Sequence, residues 1–270
     1  MKKQQALVLF ATATVGAMGC ATDASDATDG ADTSEVASAL DSGSHVRYLD
    51  QGWDAATRAA FYQTTQGSRM LPYTWFLQLE QATNHQKLNS PSNIARMGFL
   101  VDPPSAANPD GLPVGFAHDV NAQRGDALGL TCAACHTGQI HYRSNDIRID
   151  GGQSLGDLEQ LENAIQGSLS ATLADAGKFG RFSTKILGAG ATVAQQDALR
   201  AQMTTVRDWW TARIARSAGT SPHGPSRTDA FTIIGNEVVC ALFQDPRNCE
   251  TANAPTEFPF LWGTPDFEWV

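Results

Sequence analysis

Two cysteines and a histidine stand close together in the run Thr131-Cys132-Ala133-Ala134-Cys135-His136. On one turn of helix, thiols three residues apart face the same side, and the next residue brings an imidazole beside them. Two such thiols can add to the two vinyl groups of a haem, while the imidazole takes the iron as proximal ligand. The spacing therefore predicts a c-type haem, attached through Cys132 and Cys135 and ligated by His136. The small Ala133 and Ala134 are expected to let the backbone lie close to the porphyrin. Three other readings compete. A thioredoxin-like dithiol wants a βαβ context, which the flanking sequence does not predict. Half a zinc site lacks a second CxxC or HxxxH to complete four ligands. A plain disulfide between the two cysteines leaves the following histidine unexplained.

A sixth iron ligand is harder to place. His118, His141, His223 and Met203 are the candidates. His141 is expected at the surface, five residues beyond His136 and on a different face. Met203 falls in an apolar stripe, where packing explains it. His118 and His223 read as loop residues. An open iron site permits O2 or peroxide chemistry, whereas a closed one favours electron transfer. The pair Trp209-Trp210 suggests an electron relay, but Trp210 is also the next core position of its helix.

Helix signals dominate the elements that must hold this turn. Residues 54–66 are Ala-rich, with Asp54 as N-cap. Trp75, Phe76 and Leu79 share a face of a helix over Tyr73 to Ala82. Ser154 precedes Asp157 at capping-box spacing, and Leu155, Leu158, Leu161, Ile165, Leu169 and Leu173 recur every three or four residues. A second stripe runs Leu199, Met203, Val206, Trp210, Ile214, closed by Gly219. Residues 101–115 are irregular, dense in Pro, Gly and Asn. Strand patterns are scarce, and IRID (147–150) is one short piece. The expected class is mainly α, a cytochrome c-like haem domain over 45–270 with long loops.

The first 19 residues read as an export signal: Lys2 and Lys3 precede the uncharged, largely apolar run Ala6 to Ala17. That run is short of the about 20 residues that span a bilayer. Gly19-Cys20 is similar to a lipoprotein cleavage site, although Ala17 replaces the usual larger aliphatic residue. Cys20 is the expected lipid site, with simple secretion as the alternative. The expected location is the periplasm or, through Cys20, the outer membrane. Residues 20–44 form an acidic tether with Asp23, Asp26, Asp29, Asp32, Glu35 and Asp41 and no Lys or Arg. Such a segment cannot bury enough surface to offset its chain entropy. The net charge of -9 excludes nucleic acid as a partner, since phosphate binding needs clustered cations. The expected partners are a redox partner or a small-molecule oxidant. Outside the cytoplasm, Cys240 and Cys249 are expected to form a disulfide, with two buried thiols as the other reading.

Several segments carry a resemblance: LPYTWFLQLEQ (71–81), NIARMGFL (93–100), NPDGLPVGF (108–116), GLTCAACHTGQI (129–140), IRIDGG (147–152), RTDAFTIIGN (227–236) and APTEFPFLWGTPDFEWV (254–270). Together they resemble the N-terminal half of di-haem cytochromes, the group containing rubber oxygenases and relatives of bacterial di-haem cytochrome c peroxidases. The resemblance implies a mostly helical haem domain whose N-terminal haem meets O2 or shares electrons for peroxide cleavage. Cys132, Cys135 and His136 match the N-terminal haem motif. Arg227, Asp229 and Phe231 match a segment passing near the distal side of that haem, with Phe231 as the candidate lid and core packing as the other reading. Members carry a second CxxCH in a C-terminal half, and this sequence has none. The expectation is a longer di-haem protein cut short, or a single-haem product.

Overall fold

The structure is a computed structural model that describes residues 46–143 and 145–266. The export signal expected over 1–19, the tether over 20–44 and Cys20 lie outside the described residues.

Helix makes up 44% of the structure and strand 14%, with the strands in three small sheets. The expectation of a mainly α, cytochrome c-like domain is therefore corrected to a mixed α/β fold. Of the strands, the sequence marks only IRID (147–150); the others are two to six residues long and show no clear alternation. β1 (Val46–Tyr48) pairs in parallel with β6 (Asn145–Asp150), Val46 opposite Asp146, and β6 pairs antiparallel with β5 (Thr137–Tyr142), Thr137 opposite Asp150. The second sheet places β4 (Ala127–Leu130) between β2 (Leu71–Pro72) and β3 (Phe116–Asp119). In the third, β7 (Arg227–Thr228) pairs with β8 (Thr256–Glu257).

Four of the helices fall where the sequence placed them, with shifted ends, while those over Pro91–Arg96, Ala176–Leu187 and Ala230–Gly235 were not expected. α1 (Ala55–Gln63) is capped by Asp54, which accepts from the Thr57 amide at 2.7 Å. α2 (Tyr73–Gln78) stops short of Ala82, because Glu80 leaves the helix to bridge Lys87. α3 (Pro91–Arg96) carries the buried Ile94. α4 (Leu158–Ala174) is capped by Asp157, which accepts from Gln160, while Ser154 accepts from Gly156. The helix thus starts later than expected, and Leu155 is exposed. α5 (Ala176–Leu187) follows, and α6 (Val193–Ser217) opens on a Thr192–Gln195 capping box. Leu161, Ile165 and Leu169 of α4 share one core with Leu199, Met203 and Trp210 of α6. Each such buried side chain contributes about 1.5–3 kcal/mol. Trp210 is a core residue whose indole donates to the Met70 carbonyl at 3.2 Å. Trp209, by contrast, faces outward.

Glu80 ties the end of α2 to α5. Its carboxylate accepts from Arg181 at 2.7 and 2.8 Å, with His85 at 3.1 Å and Lys178 at 3.4 Å. The Arg181 guanidinium, helped by His85 and Lys178, holds the carboxyl down to about 2 against the effect of burial. The ordinary value is 4.5. A carboxylate depressed in the folded state stabilises it fully above the unfolded value, and that contribution fades as pH falls toward the folded value. Urea denaturation should therefore show wild type losing its advantage over Glu80→Gln between pH 4.5 and about 2. A pH-independent difference between the two proteins would refute this assignment.

α7 (Ala230–Gly235) runs directly into a π-helical segment, Asn236–Leu242. The buried Asn236 side chain holds this junction: its amide donates to the Arg216 and Glu250 carbonyls at 2.8 and 2.7 Å, and its oxygen accepts from the Glu250 amide at 2.9 Å. Cys240 and Cys249 are joined as a disulfide across the loop that follows, with Cα atoms 5.1 Å apart. Asn236→Ala strands three backbone groups and is expected to cost about 3 kcal/mol. Chemical denaturation checks this, and a loss well under 1 kcal/mol would mean that the junction is held otherwise.

Candidate functional site

The CxxCH run links two sheets. β4 ends at Leu130, a 3-10 turn covers Cys132–Ala134, and β5 begins at Thr137. Thr131 caps the turn by accepting from the Ala133 amide at 3.2 Å. The His136 amide then donates to the Cys132 carbonyl at 3.0 Å, so one helical turn is completed. Ala133 and Ala134 point inward and are buried, whereas Cys132, Cys135 and His136 are partly exposed. Ala134 packs the turn against Gly115, whose φ of +82° and lack of Cβ let it approach the Ala134 backbone. The Thr131 amide donates to the Gly115 carbonyl at 2.8 Å on the same line of contact.

His136 is oriented from the far end of the chain. Its Nδ1 lies 2.7 Å from the Pro259 carbonyl oxygen. A carbonyl can only accept, so Nδ1 carries the proton and Nε2 keeps its lone pair. That is the tautomer a metal-bound imidazole needs, with the carbonyl as outer support. Pro259 is itself held on both sides, by Phe258 amide to Ser226 carbonyl at 2.9 Å and Leu261 amide to Gly151 carbonyl at 2.8 Å. Burial lowers the His136 pKa below its usual 6.5, opposed by the Pro259 bond, so the ring is neutral at pH 7. Phe258 is buried and anchors the segment. Phe258→Ala is expected to cost about 3–5 kcal/mol in a denaturation titration. A loss below 1 kcal/mol would show that the segment is anchored without it.

Burial, with Cys132 nearby, pushes the Cys135 thiol up to about 12. In a dithiol exchanger the depressed value belongs to the attacking first cysteine, so this shift at the second one does not separate the two chemistries. The donor set fits a covalently held haem: two thiols three residues apart on one turn and a neutral imidazole whose Nε2 keeps its lone pair. Among the described residues, no group of three or more His, Cys, Asp or Glu is placed to hold a bare metal ion.

Behind His136 the first sheet is pinned by buried charges. Arg148, 1% exposed, donates to both Asp102 oxygens at 3.1 and 3.0 Å and to Gln139 across the strand at 2.8 Å. Asp150 accepts from Arg58 at 2.7 Å and Tyr62 at 2.5 Å. Both sit in β6, paired with the strand that follows the haem motif.

The candidate sixth ligands are each engaged elsewhere. Met203 lies in the core with no exposure. His118 belongs to β3 rather than a loop, stacks on Tyr73 at 3.7 Å and meets Asp126 at 3.0 Å. His223 is buried, its Nε2 at 2.9 Å from the Ala252 carbonyl, which corrects the solvated reading. His141 is exposed and pairs with Asp146 at 2.8 Å.

Arg227 pairs with Glu257 at 2.8 Å across β7 and β8. Asp229 caps α7 by accepting from Thr232 and also holds the Ala254 amide. Phe231, in the first turn of α7, is 92% exposed, so the core-packing reading fails. The Pro259 carbonyl is the functional group that the sequence did not single out, although the FPFLW segment around it had been marked by resemblance.

Among known proteins, uncharacterized protein y4iJ of Sinorhizobium fredii (strain NBRC 101917 / NGR234) is 32% identical over 250 residues. The match covers 83% of this chain and 41% of the relative, so the chain spans about two fifths of the relative's length. No family model matches the chain, and no solved structure matches it.

Proposed function

We propose that the chain is an exported c-type haem protein with a redox role, holding haem through Cys132 and Cys135 with His136 as the proximal ligand. The observation that carries this reading is the Pro259 carbonyl at 2.7 Å from His136 Nδ1, which frees Nε2 beside two cysteines on the same turn. Haem bound there supplies one-electron redox chemistry and, with a vacant sixth position, a place for O2 or peroxide. The protein's part is to fix the imidazole tautomer, hold the thiols on one side and keep the sheet behind them rigid. The engagement of His118, His141, His223 and Met203 elsewhere supports a sixth position open to an external ligand. On the strength of the resemblance, Phe231 is assigned to the distal side, and its exposed ring is available for that role.

This reading keeps the relation to the N-terminal half of the di-haem oxygenase and peroxidase group as a proposal, carried by the matching segments. It also keeps export by residues 1–19, with Cys20 as lipid anchor; among the described residues no helix is long and apolar enough to cross a membrane. A redox partner protein or a small oxidant is the expected reactant. The second reading is an electron carrier with both axial positions filled. Carbon monoxide added to the reduced, haem-loaded protein separates them. Rapid spectral change supports the open site, and an unaltered spectrum supports the carrier.

A further inference from the structure

Asp150 is a buried carboxylate, 1% exposed, and both of its oxygens are taken by one helix. Arg58 and Tyr62 are one helical turn apart and share a face of α1. Arg58 donates to Oδ2 at 2.7 Å, and the Tyr62 hydroxyl donates to Oδ1 at 2.5 Å. A hydroxyl bonded to an ionised acceptor at that distance is at the short end of its range. Burial, with the Asp150 charge beside it, pushes the Tyr62 phenol above its ordinary 10.0, so it keeps its proton at rest. The pair stands beside the haem motif from two directions. Asp150 ends β6 directly opposite Thr137, at the ~5 Å of an antiparallel pair, and His136 is the next residue. α1 itself packs against the turn Cys132–Ala134. The Tyr62 ring also meets Phe61 edge-on, with centroids 5.6 Å apart. Tyr73 bonds Asp110 at 2.6 Å in a similar way. Asp110, however, is exposed and belongs to the loop over 101–115, not to the sheet that continues from His136.

A phenol gives up an electron most readily when its proton can leave at the same moment. Tyr62 has an ionised acceptor already bonded to that proton, in a position that solvent does not reach. Cleavage of peroxide to two waters takes two electrons, whereas a ferrous haem gives one on becoming ferric. We propose that Tyr62 supplies the second. The O–O bond of peroxide breaks and two O–H bonds form, with both protons drawn from solvent. Tyr62 is oxidised to a tyrosyl radical, and its own proton moves to Asp150 Oδ1. Arg58 stays in place against Oδ2 and holds the carboxyl in line. The inference rests on the haem reading above.

The test is electron paramagnetic resonance of the full chain, haem-loaded in a periplasm, reduced, mixed with hydrogen peroxide and frozen at once. Wild type is expected to show an organic radical beside the ferric haem. Its signal should narrow in protein grown on ring-deuterated tyrosine. Tyr62→Phe should lose the radical with haem loading and helix content unchanged, an outcome that a purely structural phenol would not give. Since Tyr62→Phe can fail by misfolding, the remaining tyrosines form the second arm. Tyr48→Phe, Tyr73→Phe and Tyr142→Phe should each keep the signal. Loss of the radical in any of these variants, folded and haem-loaded, overturns the assignment. So does a radical that survives in folded Tyr62→Phe. Haem-loaded wild type without a tyrosyl radical overturns this inference and leaves the haem reading standing, whereas colourless protein overturns both.

Discussion

The double variant Cys132→Ala/Cys135→Ala, matured in a periplasm with haem-attachment machinery, is expected to carry no haem after acid denaturation, where wild type retains it. Each single variant should keep one thioether. The vinyl group left unsaturated then extends the porphyrin conjugation and moves the absorption of the reduced pyridine adduct to longer wavelength. His136→Ala should reduce loading sharply, since the imidazole positions the iron over the turn. Intact-protein mass spectrometry reads all four variants beside wild type. Haem retained by the double variant through denaturation would place the attachment elsewhere and defeat the assignment. A thiol pair of the thioredoxin kind would behave differently: the variants would lose dithiol exchange and no chromophore would be involved.

Gly115→Ala carries the second large effect, far from the motif in sequence but touching it in space. A Cβ at residue 115 would overlap the Ala134 nitrogen and α-carbon, which are backbone and cannot swing aside. The φ of +82° adds the usual strain of a side chain in the left-handed region, about 1 kcal/mol. Overlap with backbone raises the total to an expected loss of more than about 3 kcal/mol. The turn bearing Cys132, Cys135 and His136 must move away from β3, so haem loading should fall as well. Val114→Ala, one residue away and also buried, controls for simple loss of packing. Gly115→Ala with wild-type stability and wild-type loading would show that the turn is not held by this contact.

The parts legible in the sequence and the parts hidden from it divide on physical grounds. CxxCH stands out in the sequence because three side chains in five positions would carry the proposed chemistry themselves. Leu161, Ile165 and Leu169 could be read because a buried helix face repeats. Asp54 acts as the cap its sequence context suggested. The Pro259 carbonyl could not be read, because a backbone oxygen has no residue signature and its partner is 123 positions away. Apart from IRID (147–150), which lies within β6, the strands are hidden for a related reason: at two to six residues, several of them half polar, they show no clear alternation. Val46–Tyr48 becomes a strand only because β6, a hundred residues on, offers it a partner. Ser154 has the spacing of a cap before an apolar repeat, but Asp157 stands beside the true first turn and is the cap. Phe231 looked equally like a core residue and a lid, and its exposure removes the first of these.

The central claim is that two sulfurs and one oriented imidazole hold a porphyrin by covalent bonds. A pyridine haemochrome spectrum, recorded on protein matured in a periplasm and normalised to chain concentration, tests it most directly. The account predicts the spectrum of a haem with both vinyl groups saturated, at one haem per chain, and thiols at Cys132 and Cys135 that no longer alkylate. Colourless protein with both thiols open to iodoacetamide would contradict it.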